Sequence, residues 1–105
     1  MSGMVFLMDG NKVELNEFVP RQHYRDGFVI ETKNGWRNFA FDKIDKVYIR
    51  HVEGNKFNYE VKTKDGNTIM GFSNVYVNHV DGKTAEGSKT IEYSDIDYFT
   101  VTTCD

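Results

Sequence analysis

Three histidines, one cysteine and sixteen carboxylates carry the groups in this chain suited to metal binding, nucleophilic attack or proton transfer. His23, His51 and His79 are 28 residues apart at each step, which follows no metal-site pattern. The single Cys104 excludes an intramolecular disulfide and reads as an incidental thiol. Asp95 and Asp97, at i and i+2, could in principle hold a cation or form an acid/base pair. Asp97 has a counterpart in Asp45, however, and the stronger reading is a turn carboxylate accepting backbone N–H groups. Neither G-x-x-x-x-G-K-[ST] nor G-x-G-x-x-G occurs, and no Ser or Cys nucleophile stands in a recognisable setting. The expectation is a protein that is not an enzyme and uses no metal and no cofactor.

Binding chemistry is better represented. Phe18-Val19-Pro20-Arg21-Gln22-His23-Tyr24-Arg25 combines cations, an imidazole and aromatic rings. Guanidinium forks grip carboxylates or phosphates, and Tyr supplies stacking area, so this composition suits an anionic or aromatic partner. Trp36 and Arg37, just after the Asn34-Gly35 turn, are candidates to join it. The partner-binding set is therefore Arg21, His23, Tyr24, Arg25, Trp36 and Arg37. Tyr76 and Tyr98 are the expected outward-facing pair of an oligomer interface.

The elements that must position these residues are announced by a repeat. Asp9-Gly10-Asn11 recurs as Asp65-Gly66-Asn67. After the first come Val13, Gly35, Phe39, Phe41, Ile44-Asp45 and Ile49; after the second come Ile69, Gly87, Ile91, Tyr93, Ile96-Asp97 and Val101. From Gly35 and Gly87 onward the spacing is identical, and only the stretch between the glycines differs, 25 residues against 21. A duplicated pattern defines the structural unit. All four arginines and the only tryptophan lie in the first copy, so a single site is expected there.

Within each copy, apolar alternation and Asp-Gly turns read as strands. Val5–Met8 is stopped by Asp9-Gly10 and answered by Lys12–Leu15. Residues 16–27 are the least regular. Phe28–Thr32 turns at Asn34-Gly35 into Trp36–Phe41, and Asp42–Asp45 is a single tight turn before a closing strand carrying Val47 and Ile49. In the second copy Val75–Val80 is expected as a strand ended by Asp81-Gly82. No sustained i, i+3, i+4, i+7 rhythm marks a helix.

Composition agrees. Apolar residues make up 39% and aromatics 14%, enough for a core and biased toward sheet. A net charge of −3 is too small to argue general affinity for nucleic acid or membrane, or mimicry of DNA. The first 56 residues hold nine basic and eight acidic residues, the remainder four and eight. No apolar run approaches the ~20 residues of a membrane helix, and the first residues read as a strand rather than a signal peptide. A cytoplasmic protein without membrane association is expected.

Five short strands with one helical turn before the last resemble the SH3-like and Sm-like small barrels. The segments Phe39–Ile49 and Ile91–Val101 are similar to the close of such barrels. The fold class expected is all-β: two tandem ~50-residue five-stranded antiparallel repeats forming small SH3-like barrels or one merged barrel or sandwich. The divisions are 1–50 for the first repeat, 51–58 for a connector and 59–105 for the second repeat, packed as one unit. Sm-like proteins bind RNA, but the turns Asp42-Lys43-Ile44 and Ser94-Asp95-Ile96 lack the glycine and arginine of that pocket. The expected function is a non-catalytic protein-binding module acting by steric occlusion. By analogy with small β proteins of phages and mobile elements, it would inhibit a host defence enzyme. A sponge or sensor for a small anionic, nucleotide-like ligand is the alternative, and RNA or single-stranded nucleic acid is third. Unpaired edge strands also make a homodimer an expectation.

Overall fold

The computed structural model describes residues 1–22 and 27–103. Ten strands follow one another: β1 (Ser2–Leu7), β2 (Lys12–Arg21), β3 (Phe28–Thr32), β4 (Gly35–Phe39), β5 (Ile44–Glu53), β6 (Lys56–Thr63), β7 (Thr68–Asn74), β8 (His79–Thr84), β9 (Gly87–Glu92) and β10 (Ile96–Thr103). Single 3₁₀ turns at Phe41–Lys43 and Tyr93–Asp95 precede β5 and β10. All strand pairs are antiparallel, in the order β4-β3-β7-β6-β5-β10-β1-β2-β8-β9.

The two sequence copies interleave in this one sheet. Matching β1–β5 to β6–β10 and exchanging them reverses the order and leaves it otherwise unchanged. Registers obey the same exchange. At one seam Asn16 of β2 faces Lys83 of β8; at the other Phe72 of β7 faces Glu31 of β3. These are the same two positions under the Gly10/Gly66 and Gly35/Gly87 alignments. The turns match as well. Asp9 and Asp65 each accept from the Asn two residues on, and the Thr32 and Thr84 hydroxyls accept the N–H two residues on at 3.1 Å. Local turn chemistry thus repeats while the hairpins themselves cross over.

One face of the sheet is apolar, and the sheet curls to bury it. Val5, Leu15, Phe18, Phe28, Ile30, Phe39, Val47, Ile49, Tyr59, Val61, Val80, Ile91, Phe99 and Val101 belong to one core cluster, against which Ile69 of β7 also packs. All ten strands therefore share one core. Phe28 is central: its ring centroid lies 5.0 Å from that of Tyr59 and 6.0 Å from that of Phe99, both edge-on. Each such pair adds about 0.5–1.5 kcal/mol beyond area burial.

Several expectations from the sequence are corrected. Residues 16–21 are not irregular: β2 continues through Pro20, with a bulge between Asn16 and Val19 where Glu17 has φ 49°. The bulge bends the strand so that β2 can pair with β1 before it and β8 after it. Residues 75–78 are not strand, and β8 begins only at His79. Nor do Asp81-Gly82 end it. Gly82 sits mid-strand because Leu15 takes the space of its missing side chain. The span 51–58 consists of the end of β5, a turn at Gly54-Asn55 and the start of β6, with Glu53 opposite Lys56.

Candidate functional site: the outer face of the central strands

The outer face carries side chains that the core does not use. Along β1, β10, β5 and β6 the inner positions are apolar, so the alternate positions face outward. The registers join them into rows. Lys12, Phe6, Tyr98, Tyr48, Glu60 and Met70 stand opposite one another across six strands. The next row, two residues away, is Glu14, Met4, Thr100, Lys46, Lys62 and Thr68. The internal exchange maps one row onto the other. Phe6 corresponds to Lys62, Tyr98 to Lys46 and Tyr48 to Thr100. The same six places thus hold an aromatic row once and a polar, lysine-bearing row the second time.

The geometry is tight. Phe6 and Tyr98 stack with centroids 4.3 Å apart and planes 18° from parallel, and Tyr48 lies 5.1 Å from Tyr98. Lys46 Nζ sits 4.9 Å from the Tyr98 centroid and 5.7 Å from that of Tyr48. Arg50 covers Tyr48 at 5.9 Å and pairs with the Asp97 carboxylate at 2.8 Å. Asp97, one of the expected turn carboxylates, is thus an ion-pair partner on this face. A third row continues the surface, since Asn58, Phe72, Glu31 and Trp36 are successive register partners. Met70, Phe72 and Trp36 are exposed, at 64%, 36% and 54%.

The structure distributes the sequence-derived site residues rather than gathering them. His23, Tyr24 and Arg25 lie outside the described residues. Arg21 is spent on β8: its Nε donates to Asp81 at 3.1 Å, and His79 and the Thr90 hydroxyl approach the same carboxyl group at 3.5 and 2.7 Å. Partial burial raises the Asp81 pKa, but the Thr90 and Arg21 hydrogen bonds and the His79 and Arg21 charges outweigh it and hold it below its usual value. Trp36 and Arg37 diverge because adjacent strand residues face opposite ways. Trp36 joins the outer face, whereas Arg37 stands on the Phe39 side of β4, exposed, with its guanidinium 5.0 Å from the centroid of that ring. Tyr98 is half-buried within the aromatic row. Tyr76, 74% exposed, lies in the 75–78 segment beside a hollow lined also by His51 and Asn78.

Phe6, Lys46, Tyr48 and Lys62 escaped the sequence reading. Alternation around the inward Val47 and Ile49 already turned Tyr48 outward, but only cross-strand register could bring it against Tyr98 and Phe6. Two buried polar side chains among the described residues, Gln22 and Ser73, are tied to the fold. Gln22 spans the Val29 N–H and C=O with two 2.8 Å bonds, and the Tyr59 hydroxyl meets Ser73 at 2.7 Å. Among the described residues no group of three His, Cys, Asp or Glu side chains is placed to hold a metal ion. No helix among them is long and apolar enough to cross a membrane.

No family model, curated protein or solved structure matches this chain.

Proposed function

We propose that the chain is a protein-binding module whose working surface is the outer face of β1, β10, β5 and β6. It acts by occupying a partner's surface rather than by chemistry. The observation that carries this reading is the Phe6–Tyr98–Tyr48 row beside Lys46 and Lys62. Tyrosines with few rotatable bonds beside an arginine, here Tyr48 and Tyr98 with Arg50, are the composition of interface hot spots, and Lys46 and Lys62 add the charge that orients a partner. In these rows of β10, β5 and β6, Lys46, Lys62 and Arg50 outnumber Glu60 and Asp97, although the whole chain carries a net charge of −3. The matching partner surface presents carboxylates beside apolar side chains.

The geometry favours protein over nucleic acid. Base stacking needs free ring faces. Here Phe6 and Tyr98 occupy one another's faces and Lys46 and Arg50 lie over the tyrosines, leaving ring edges and flanks outward. Edges and flanks suit side-chain packing. The test is affinity capture from the native host with wild type and a Lys46→Glu/Lys62→Glu variant of equal thermal stability. The reading expects a stoichiometric protein complex that the variant loses. Undiminished capture by the variant, or salt-dependent retention of the wild type on single-stranded oligonucleotides, would overturn it.

A further inference from the structure

The internal exchange that relates the two rows also relates two grooves. The first lies where β4 passes the end of the β6–β7 hairpin. It encloses about 890 Å³, with Phe39 and Ile69 as apolar lining and Arg37, Lys43 and Lys64 as its cations. The second lies where β9 passes the end of the β1–β2 hairpin, encloses about 410 Å³, and includes Met8, Asp9, Lys89, Ile91, Glu92 and Asp95. Residue for residue they correspond: Lys64 to Met8, Asp65 to Asp9, Arg37 to Lys89, Phe39 to Ile91, Ala40 to Glu92 and Lys43 to Asp95. The fold makes the same concavity twice and the sequence gives it opposite charge.

The difference in size goes with a difference in pairing. β2 and β8 share four registered pairs, which hold the β8–β9 hairpin against β2. β3 and β7 share only the pair Glu31 and Phe72, so fewer registered pairs hold the β3–β4 hairpin to β7 beside the larger groove. Its volume falls within the range of clefts that hold small molecules, roughly 300–1,000 Å³. The cations are placed for use. Cation–π contact holds the Arg37 guanidinium over Phe39, and its N–H fork makes no hydrogen bond among the described residues. Lys64 N–H donates to the Lys43 carbonyl at 2.9 Å, fixing the two lysine backbones side by side. Neither ammonium makes an ion pair among the described residues. Two carboxylates also line the groove, Asp42 and Asp65. Asp65 is tied into its own turn by the Thr63 hydroxyl and the Asn67 amide.

From this we infer that the Arg37–Lys43–Lys64 groove is a binding site for a phosphate monoester of nucleotide size. The phosphate sits among the three cations, and the attached ring system lies against Ile69 and the outer side of the Arg37 guanidinium, which covers the buried Phe39 ring. Arg37 was singled out in the sequence for the same chemistry, but with partners on the other face. The site is separate from the aromatic row, so either can fail without the other.

The experiment is a ¹H–¹⁵N titration of the full chain with inorganic phosphate, adenosine 5′-monophosphate and adenosine. The expected result is shifts confined to the amides of 37–43 and 63–69 with both phosphate-bearing probes, tighter binding of the monophosphate, and none by adenosine. Lys43→Glu/Lys64→Glu should weaken the monophosphate at least about tenfold while leaving the melting temperature unchanged. An Arg37→Gln variant should weaken it too, which covers the case in which the double variant folds poorly. No shifts at millimolar phosphate or monophosphate would overturn the assignment. So would equal shifts around Met8 and Lys89, equal binding of adenosine, or unchanged affinity in the variants.

Discussion

Leu15 occupies the space that a side chain at position 82 would need: a Cβ on Gly82 would stand 2.8 Å from Leu15 Cβ. At the equivalent seam the roles are reversed between strands. There a Cβ on Gly71 would stand 2.7 Å from Ile30 Cδ1 and 2.7 Å from the Glu31 carbonyl oxygen. Leu15 corresponds to Gly71, and Ile30 to Gly82. Each seam between the copies thus seats one large side chain on one glycine, contributed from opposite strands.

Gly82→Ala and Gly71→Ala are each expected to destabilise the fold by about 1–3 kcal/mol through overpacking. The rescues differ. Leu15→Ala keeps the offending Cβ and should not restore Gly82→Ala. Ile30→Val removes Cδ1 and should partly relieve Gly71→Ala, leaving the Glu31 carbonyl contact. Urea unfolding of the two double-mutant cycles checks this; equal rescue at both seams would contradict the packing described.

Two buried phenols make opposite predictions. The Tyr93 hydroxyl is fully buried and has no hydrogen-bond partner among the described residues. Tyr93→Phe removes an unsatisfied polar group and should be neutral or stabilising by up to about 1 kcal/mol. The Tyr59 hydroxyl is bonded to Ser73. Tyr59→Phe strands that buried serine and should cost about 1 kcal/mol. Thermal unfolding of the two variants separates the cases.

Alkaline pH tests the same core. Burial, only partly offset by hydrogen bonds from Ser73 and Gln22, pushes the Tyr59 pKa up from 10.0 to about 12. Burial, with the nearby Tyr59 adding to it, also raises Tyr93 well above its ordinary value. Above pH 10 the unfolded chain has released these protons while the folded chain retains them. The stability they confer is complete below the unfolded value and declines as pH rises through the folded one. For Tyr59 the loss amounts to roughly 2–3 kcal/mol. Urea midpoints from pH 9 to 12 should fall steeply, and the Tyr59→Phe variant should fall less.

What could be read in the sequence was local. Asp9-Gly10, Asp65-Gly66 and Asn34-Gly35 are turns because glycine accepts the positive φ each requires, +91°, +93° and +106°. Alternation gave the inward Phe39, Val47, Ile49, Phe99 and Val101. The repeat supplied the correspondence between copies. It could not supply which hairpin pairs with which, because alternation specifies a face and not a neighbour. β7 beside β3 and β2 beside β8 are long-range choices, made by packing such as Leu15 over Gly82. Gly82 itself looked like a turn residue after Asp81, and only the neighbouring strand shows why it is mid-strand. The candidate site suffered for the same reason. Tyr98 was recognised as an outward residue, but Phe6 and Tyr48 reach it only through register.

Arg21 carries a smaller prediction. Its pair with Asp81 is exposed, 49% and 36% at the two side chains, so Arg21→Ala should cost no more than about 1 kcal/mol. Because the Asp81 pKa is depressed, that contribution is present at neutral pH and lost as pH falls through the folded value. Asp81→Asn should flatten the acid limb of the stability profile. Capture of the partner should be unaffected in both variants.

The central claim is that a protein partner lies on the outer face of β1, β10, β5 and β6, and the direct measurement is hydrogen exchange of the purified complex against the free chain. Protection gained at 4–6, 46–50 and 98–100, and lost on Lys46→Glu/Lys62→Glu substitution, is the result expected. Protection confined to other surfaces, such as the β8–β9 hairpin around Arg21 and Asp81, with those three segments unchanged, would contradict the account.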